Sequence, residues 1–262
     1  MFRSLQIAAT GMLAQETQLD TIANNMANAN TTGFKRQAAE FEDLLYQNVR
    51  TAGPTEDGGS TIPTETQIGS GSRVVATSRS FAQGTLTQTG NTYDLGIQGK
   101  GFFQVMRPNG DMAYTRAGAL KLDNQGRIVT SDGFPLQPPV TVPNNATSVT
   151  VGSDGTVTAT EPNQTAAVPL GQIQLATFTN TDGLNSVGQN LYEATASSGQ
   201  PTSGAPGVGA LGTLQQGALE ASNVDIVNEM VNLISAQRAY EINSKVVTAA
   251  DEMLRNATSM QG

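Results

Sequence analysis

One stretch of the chain constrains its fold more than any other. From Val224 to Met260 there is neither glycine nor proline, in a chain that carries 28 glycines and 11 prolines. Ile226, Leu233, Tyr240, Val247 and Leu254 recur there at seven-residue intervals, and Ala236, Ala250 and Ala257 follow members of that series by three. The pattern predicts one helix of about 35 residues, about 50 Å long at 1.5 Å per residue. Ser222 or Asn223 is placed to cap its start. A periodic helix of that length points to a coiled coil or an extended assembly element.

The other end of the chain has the same character. Leu5, Met12, Leu19 and Met26 recur every seven residues, Ala8 and Ile22 fall on the intervening positions, and Gly11 is the one glycine in that register. Asn24, Asn25 and Asn28 close the stripe before Thr31-Thr32-Gly33. Asparagine is a mediocre helix former, so such a cluster either ends the helix or supplies hydrogen bonds between helices that fix register. Two helices at opposite termini could simply pack on the chain's own core. With everything else lying between them, they predict instead a helical pair that polymerises.

Between the ends the chain reads as β. Short Val/Ile/Phe/Leu/Thr runs alternate with turn chemistry: Pro108-Asn109-Gly110-Asp111, Asp123-Asn124-Gln125-Gly126, Ser131-Asp132-Gly133 and Ser153-Asp154-Gly155. Glycine and asparagine accept positive φ there, and aspartate bonds its own backbone. Strands at this spacing predict an antiparallel all-β domain. Thr51–Thr66 and Ala196–Gly212, rich in Gly, Pro, Ser and Thr, read as connectors. The expected fold is therefore α+β. Its parts are an N-terminal helix (1–33), a connector and arm (34–72), the β domain (73–195), a return connector (196–222) and a C-terminal helix (223–262).

Composition removes most chemistry. With no histidine and no cysteine, the chain can build no His-based triad, thiol nucleophile, disulfide or Cys-ligated metal. A formal charge of −8 with only 14 Lys and Arg argues against nucleic acid, whose binding needs cationic neutralisation of phosphates. No segment approaches the roughly 20 apolar residues of a membrane helix, and the first residues lack the apolar core of a cleaved signal.

The remaining enzymatic case rests on Asp111, Asp123, Asp132 and Asp154 as a carboxylate acid–base pair. Each sits in or beside a Gly/Asn turn, where aspartate is favoured for backbone bonding alone. Gly96-Ile97-Gln98-Gly99-Lys100-Gly101 lacks the spacing of a phosphate-binding loop and reads as a bend entering a strand. No catalytic residue, cofactor or metal site is expected.

Several separated blocks carry a family resemblance. Ala23-Asn24-Asn25-Met26-Ala27-Asn28, with Thr32-Gly33-Phe34-Lys35 after it, resembles the N-terminal signature of the flagellar rod and hook axial proteins. Asp94 to Phe103 and Tyr114-Thr115-Arg116-Ala117-Gly118 resemble that family's middle blocks. Ser222 to Asp225, Glu229-Met230-Val231 and Ala236 to Lys245 resemble its C-terminal signature. The stretch from Phe41 to Gln47, followed by the Pro/Gly/Thr-rich segment, is similar to the insertion of the distal-rod branch.

The resemblance implies a structural subunit whose terminal helices pair as a coiled coil inside a hollow helical filament. The N-terminal assembly residues would be Leu5, Met12, Leu19, Ile22, Asn24, Asn25, Met26 and Asn28, with Thr32, Gly33, Phe34 and Lys35 as the motif beyond the helix. Ile226, Met230, Leu233, Arg238, Tyr240, Asn243, Val247 and Leu254 would be their C-terminal partners. Tyr46, Pro54, Gly58, Gly59 and Pro63 would belong to a stiffening arm. Phe41, Leu44, Leu45 and Val49 have helical spacing, yet the resemblance implies extended chain after Arg36.

The implied partners are further copies, proximal rod proteins, the hook protein, the peptidoglycan-layer and outer-membrane ring proteins, and the flagellar type III export apparatus. The implied location is the basal body, as a rod spanning the periplasm.

Overall fold

The computed structural model describes residues 2–50, 53–54, 61–62, 64–162 and 167–259. Helix α1 spans Phe2–Ala27 and helix α2 spans Ile226–Ser259. The residues between them form strands, so the chain is α+β. It divides into two compact units. One holds residues 1–26, 37–78 and 226–262; the other holds 27–36 and 79–225.

In the helical unit α1 ends where its sequence turns to Asn and Thr. The Thr31 N–H donates to the Asn28 carbonyl at 3.1 Å, and Gly33, six residues past Ala27, adopts φ +71°, a left-handed conformation suited to glycine. At α2, neither Ser222 nor Asn223 caps the helix as the sequence suggested. Asp225 occupies the position before Ile226, and the Asn223 side chain bonds Arg36, Ser80 and Ala82 instead. The chain after Arg36 is extended. Gln37–Asp43 pairs with Ser72–Arg79, Gln47–Arg50 with Thr66–Ile68, and Gly53–Pro54 with Thr61–Ile62.

The β unit is built on a six-stranded antiparallel sheet. Its order is Asn185–Gly188, Leu191–Glu193, Met112–Thr115, Phe102–Met106, Leu175–Thr177, Thr202–Gly204. Ser148–Val151, Thr156–Thr160 and Val168–Gln172 form a second antiparallel sheet. The turn-flanked runs of the sequence supply these strands. Leu95, Ile97, Phe103, Val105, Val157 and Leu175 lie at the core, fully removed from water. A second cluster packs Phe102, Tyr114, Phe178 and Tyr192 edge to face at 4.8–5.9 Å between ring centres, the arrangement favoured by ring quadrupoles.

The segment 196–222 differs from the connector its composition suggests. Thr213–Gln216 pairs with Leu95–Gln98 and Ala218–Glu220 with Leu86–Gln88, and Thr202–Gly204 forms a sheet edge. Gly212 serves close packing. A Cβ on Gly212 would lie 2.3 Å from the Gln98 carbonyl oxygen, inside any allowed contact.

Candidate assembly site

The helix pair is defined by two contacts. A Cβ on Gly11 would lie 2.9 Å from Asn243 Nδ2, and Asn25 Nδ2 lies 3.5 Å from Glu229 Oε2. The interval from Gly11 to Asn25 equals that from Asn243 back to Glu229, so α1 and α2 run antiparallel. Asn25 is fully buried. Its Nδ2 donates to the Gln37 carbonyl at 2.8 Å and its Oδ1 accepts the Gln37 N–H at 2.9 Å. The side chain thus mimics a backbone partner for the extended chain.

Small and polar residues make the inner seam of α2. Glu229, Ala236 and Ala250 are buried, and Asn243, half-buried, completes their seven-residue series. On α1, Ala8, Ala14, Ile22 and Asn25 are buried. The larger heptad residues stand beside this seam. Leu5, Met12, Leu19, Met26, Leu233, Val247 and Leu254 are half-buried, while Ile226, Met230, Tyr240 and Arg238 are exposed. Asn24 is exposed and Asn28 half-buried. Small and polar residues occupy the seam, and the wider apolar side chains stand on its flanks.

The β unit contains a separate polar knot joining the chain just after α1 to the chain just before α2. Lys35 Nζ lies 2.7 Å from Glu220 Oε1 and donates to the Ala82 carbonyl at 2.7 Å, with both charged side chains at 0% exposure. Glu220 Oε1 also accepts the Gly84 N–H at 2.9 Å. Arg116 Nε lies 3.0 Å from Glu220 Oε2, an ion contact without the alignment of a hydrogen bond. Arg116 Nη1 donates to the Gly99 and Gly101 carbonyls at 2.9 and 2.7 Å. Burial pushes the Lys35 pKa down, and the hydrogen bond to Glu220 opposes that shift.

Backbone bonds complete the knot. Gly33 N–H donates to the Glu220 carbonyl at 2.8 Å. Asn223 Oδ1 accepts the Arg36 N–H at 2.7 Å, and its Nδ2 donates to the Ser80 and Ala82 carbonyls at 2.8 and 3.0 Å. Phe34 is buried, and the Thr32 carbonyl accepts from Asn190 Nδ2 at 3.2 Å. A Cβ on Gly33 would meet the Ala117 nitrogen at 2.8 Å. Phe34 and Lys35 of the motif are thus buried, and Lys35 is paired with Glu220.

The ends and the middle of the chain match three described families in sequence order. They are "Flagella basal body rod protein" over residues 5–35, "Flagellar hook protein FlgE/F/G D1 domain" over 96–159, and "Flagellar basal body rod FlgEFG protein C-terminal" over 215–260. The flagellar basal-body rod protein FlgG of Caulobacter vibrioides is 47% identical over 260 residues, covering 99% of each chain. FlgG of Buchnera aphidicola from Acyrthosiphon pisum is 45% identical over 260 residues, 99% of this chain and all of its own. This chain belongs to the flagellar basal-body rod family. The rod protein FlgF of Caulobacter vibrioides is 35% identical over 268 residues, all of this chain and 99% of its own, so the likeness is greater on the FlgG branch.

A rod protein is a structural subunit and not an enzyme, and the candidate carboxylates behave accordingly. Asp123 Oδ1 accepts the Gln125 and Arg127 N–H groups at 2.8 and 2.9 Å. Asp154 Oδ1 accepts from the Thr156 hydroxyl at 2.7 Å and its N–H at 3.1 Å, bonds that hold its pKa below the usual value. Asp111 accepts from Asn109 Nδ2 at 2.5 Å within its own turn. No cluster of three potential metal ligands occurs among the described residues, and none of their helices is long and apolar enough to cross a membrane.

Of the arm residues, Tyr46 is exposed, with its ring 3.4 Å from the Cβ position of Gly69. The Tyr46 phenol is pushed up by its hydrogen bond to Asp43. Pro54 lies in the pair Gly53–Pro54 with Thr61–Ile62. Gly58, Gly59 and Pro63 lie outside the described residues.

Glu220 was singled out by no sequence reading, and Glu229 and Gly71 entered only as members of blocks that resemble the family. A Cβ on Gly71, at φ +109°, would lie 2.1 Å from Thr10 Oγ1, so this glycine lets the extended chain sit directly on α1. One sequence signal pointed that way: glycine recurs in Gly69-Ser70-Gly71 beside alternating strand residues.

Proposed function

We propose that this rod protein is the distal rod subunit: copies add head to tail into a straight hollow shaft that transmits motor torque to the hook. The α1–α2 pair extends as a coiled coil along the inner wall, lines the export channel, and uses its half-exposed Leu5, Met12, Leu19, Leu233, Val247 and Leu254 against neighbouring copies. The β unit faces outward. The paired strands Gln37–Asp43 with Ser72–Arg79 and Gln47–Arg50 with Thr66–Ile68 act as an arm that bridges copies and stiffens the shaft, with Tyr46 between them.

Proximal rod proteins below, the hook protein above, and the peptidoglycan-layer and outer-membrane ring proteins around it are its partners. The flagellar type III apparatus delivers it to a rod that spans the periplasm.

The observation carrying this reading is the apolar content of the helices, which one copy leaves uncovered. Ile226, Val227, Met230, Val231 and Ile234 are all exposed on α2. An open, non-closing interface covers such a surface by extending into a filament. Leu233→Asp or Leu19→Asp buries an unpaired charge at a contact between copies, which costs several kcal/mol. Either variant should fail to form polymer in a sedimentation assay while the β unit keeps its near-ultraviolet dichroism. Polymer formed at the normal level would overturn the proposal. Loss of the 47–65 segment should give curved or flexible rods; straight ones would remove the arm from the account.

A further inference from the structure

The antiparallel pair leaves each helix with an outer face pointing away from its partner. At 100° per residue, Leu13, Glu16 and Asp20 fall on the side of α1 opposite Gly11, Ile22 and Asn25. All three are exposed, Leu13 at 62%. On α2, Val227, Val231, Ile234, Arg238 and Lys245 fall opposite the buried Glu229 and Ala236, and all five are exposed, Val227 at 71%. Glu16, Asp20, Arg238 and Lys245 make no side-chain hydrogen bond or ion pair among the described residues.

The two outer faces differ in sign. The face of α1 carries two acids beside a leucine. The face of α2 carries two cations beside three branched apolar side chains, with Glu241 between the cations. They lie on opposite sides of the pair, so one copy cannot bring its own two faces together.

We propose that the outer face of α2 on one copy docks on the outer face of α1 on the next, with Arg238 and Lys245 reading Asp20 and Glu16. The proposal rests on the rod-subunit reading and identifies the partner surface as a second copy of this chain. Copies added with the same polarity bring α1 antiparallel to the neighbour's α2. In the register that sets Asp20 opposite Arg238, Leu13 faces the aliphatic stem of Lys245, and Glu16 lies opposite Ile242, three residues and about 4.5 Å along the axis from Lys245. Apolar side chains supply the contact area, and the charges select the register and reject others. Because the docking faces are opposite rather than shared, the interface is heterologous and does not close.

The test uses full-length chain in a pelleting assay. Asp20→Arg or Arg238→Asp alone should lower the polymer formed at a fixed concentration about tenfold, through like-charge contact across the interface. The double exchange Asp20→Arg/Arg238→Asp should recover most of the loss. Single variants that polymerise normally, or a double exchange as defective as either single, would overturn the inference while the rod reading stands. A wild-type chain that forms no polymer would remove the rod reading itself.

The chain has no cysteine, which permits an independent readout. Asp20→Cys with Arg238→Cys in one chain should give a ladder of oxidised multimers in intact basal bodies. Assembled rods without such a ladder would place other surfaces in contact.

Discussion

The polar knot around Glu220 offers the sharpest energetic test. Glu220→Ala removes the only anion that pairs with Lys35 and Arg116 among the described residues; their side chains are 0% and 4% exposed. It also strips the Gly84 N–H of its 2.9 Å acceptor. Breaking a buried ion pair from one side costs about 3–5 kcal/mol, and an orphaned buried N–H about 1–3 kcal/mol. The two effects share one site and overlap, so the expected loss is about 4–6 kcal/mol. A domain is stable by about 5–15 kcal/mol, which leaves the β unit marginal.

The assay is a urea titration of the full-length chain, followed by near-ultraviolet circular dichroism. The chain lacks tryptophan, and the buried Tyr114 and Tyr192 report on the β unit. Adding Lys35→Met should recover part of the loss by removing one stranded cation, with a coupling above about 1 kcal/mol. A loss below about 1 kcal/mol for Glu220→Ala, or simple additivity with Lys35→Met, would refute the reasoning.

Three further outcomes follow from the same geometry. Gly33→Ala should lower the midpoint of thermal unfolding, because φ +71° costs an alanine about 1–2 kcal/mol and its Cβ meets the Ala117 nitrogen at 2.8 Å; an unchanged midpoint would be contrary. Gly11→Leu should force α1 from Asn243 and raise amide exchange along both helices, where unaltered protection would show that close approach is dispensable. Asp154 has its pKa lowered from 3.8 first by the Thr156 hydroxyl and then by the Thr156 N–H. Its contribution is therefore present above that value and lost as pH falls through the lower folded pKa. The stability gap between wild type and Asp154→Asn should shrink on acidification below about pH 4, and a constant gap would count against the turn role.

How much of this was legible in the sequence depended on whether the controlling interaction was local. The absence of Gly and Pro from 224–260 is a local property, and it located α2 to within two residues at its start. The aspartate turns were legible for the same reason, since Asp123 and Asp154 bond groups two to four residues away. Lys35 was singled out as part of a motif, but its partner lies 185 residues on, and nothing in either segment announces the other. The heptads showed two neighbouring rows on α2 without showing which faces α1. The contacts of Gly11 with Asn243 and Asn25 with Glu229 select the row of Glu229, Ala236, Asn243 and Ala250, which leaves the larger residues on the flanks. The 196–222 segment misled because glycine permits both flexibility and close backbone approach, and composition alone does not separate them.

Electron micrographs of the purified full-length chain, taken as its concentration is raised, test the central claim most directly. The account predicts straight hollow tubes of uniform diameter. Globular particles at every concentration, or closed rings of fixed size, would contradict it.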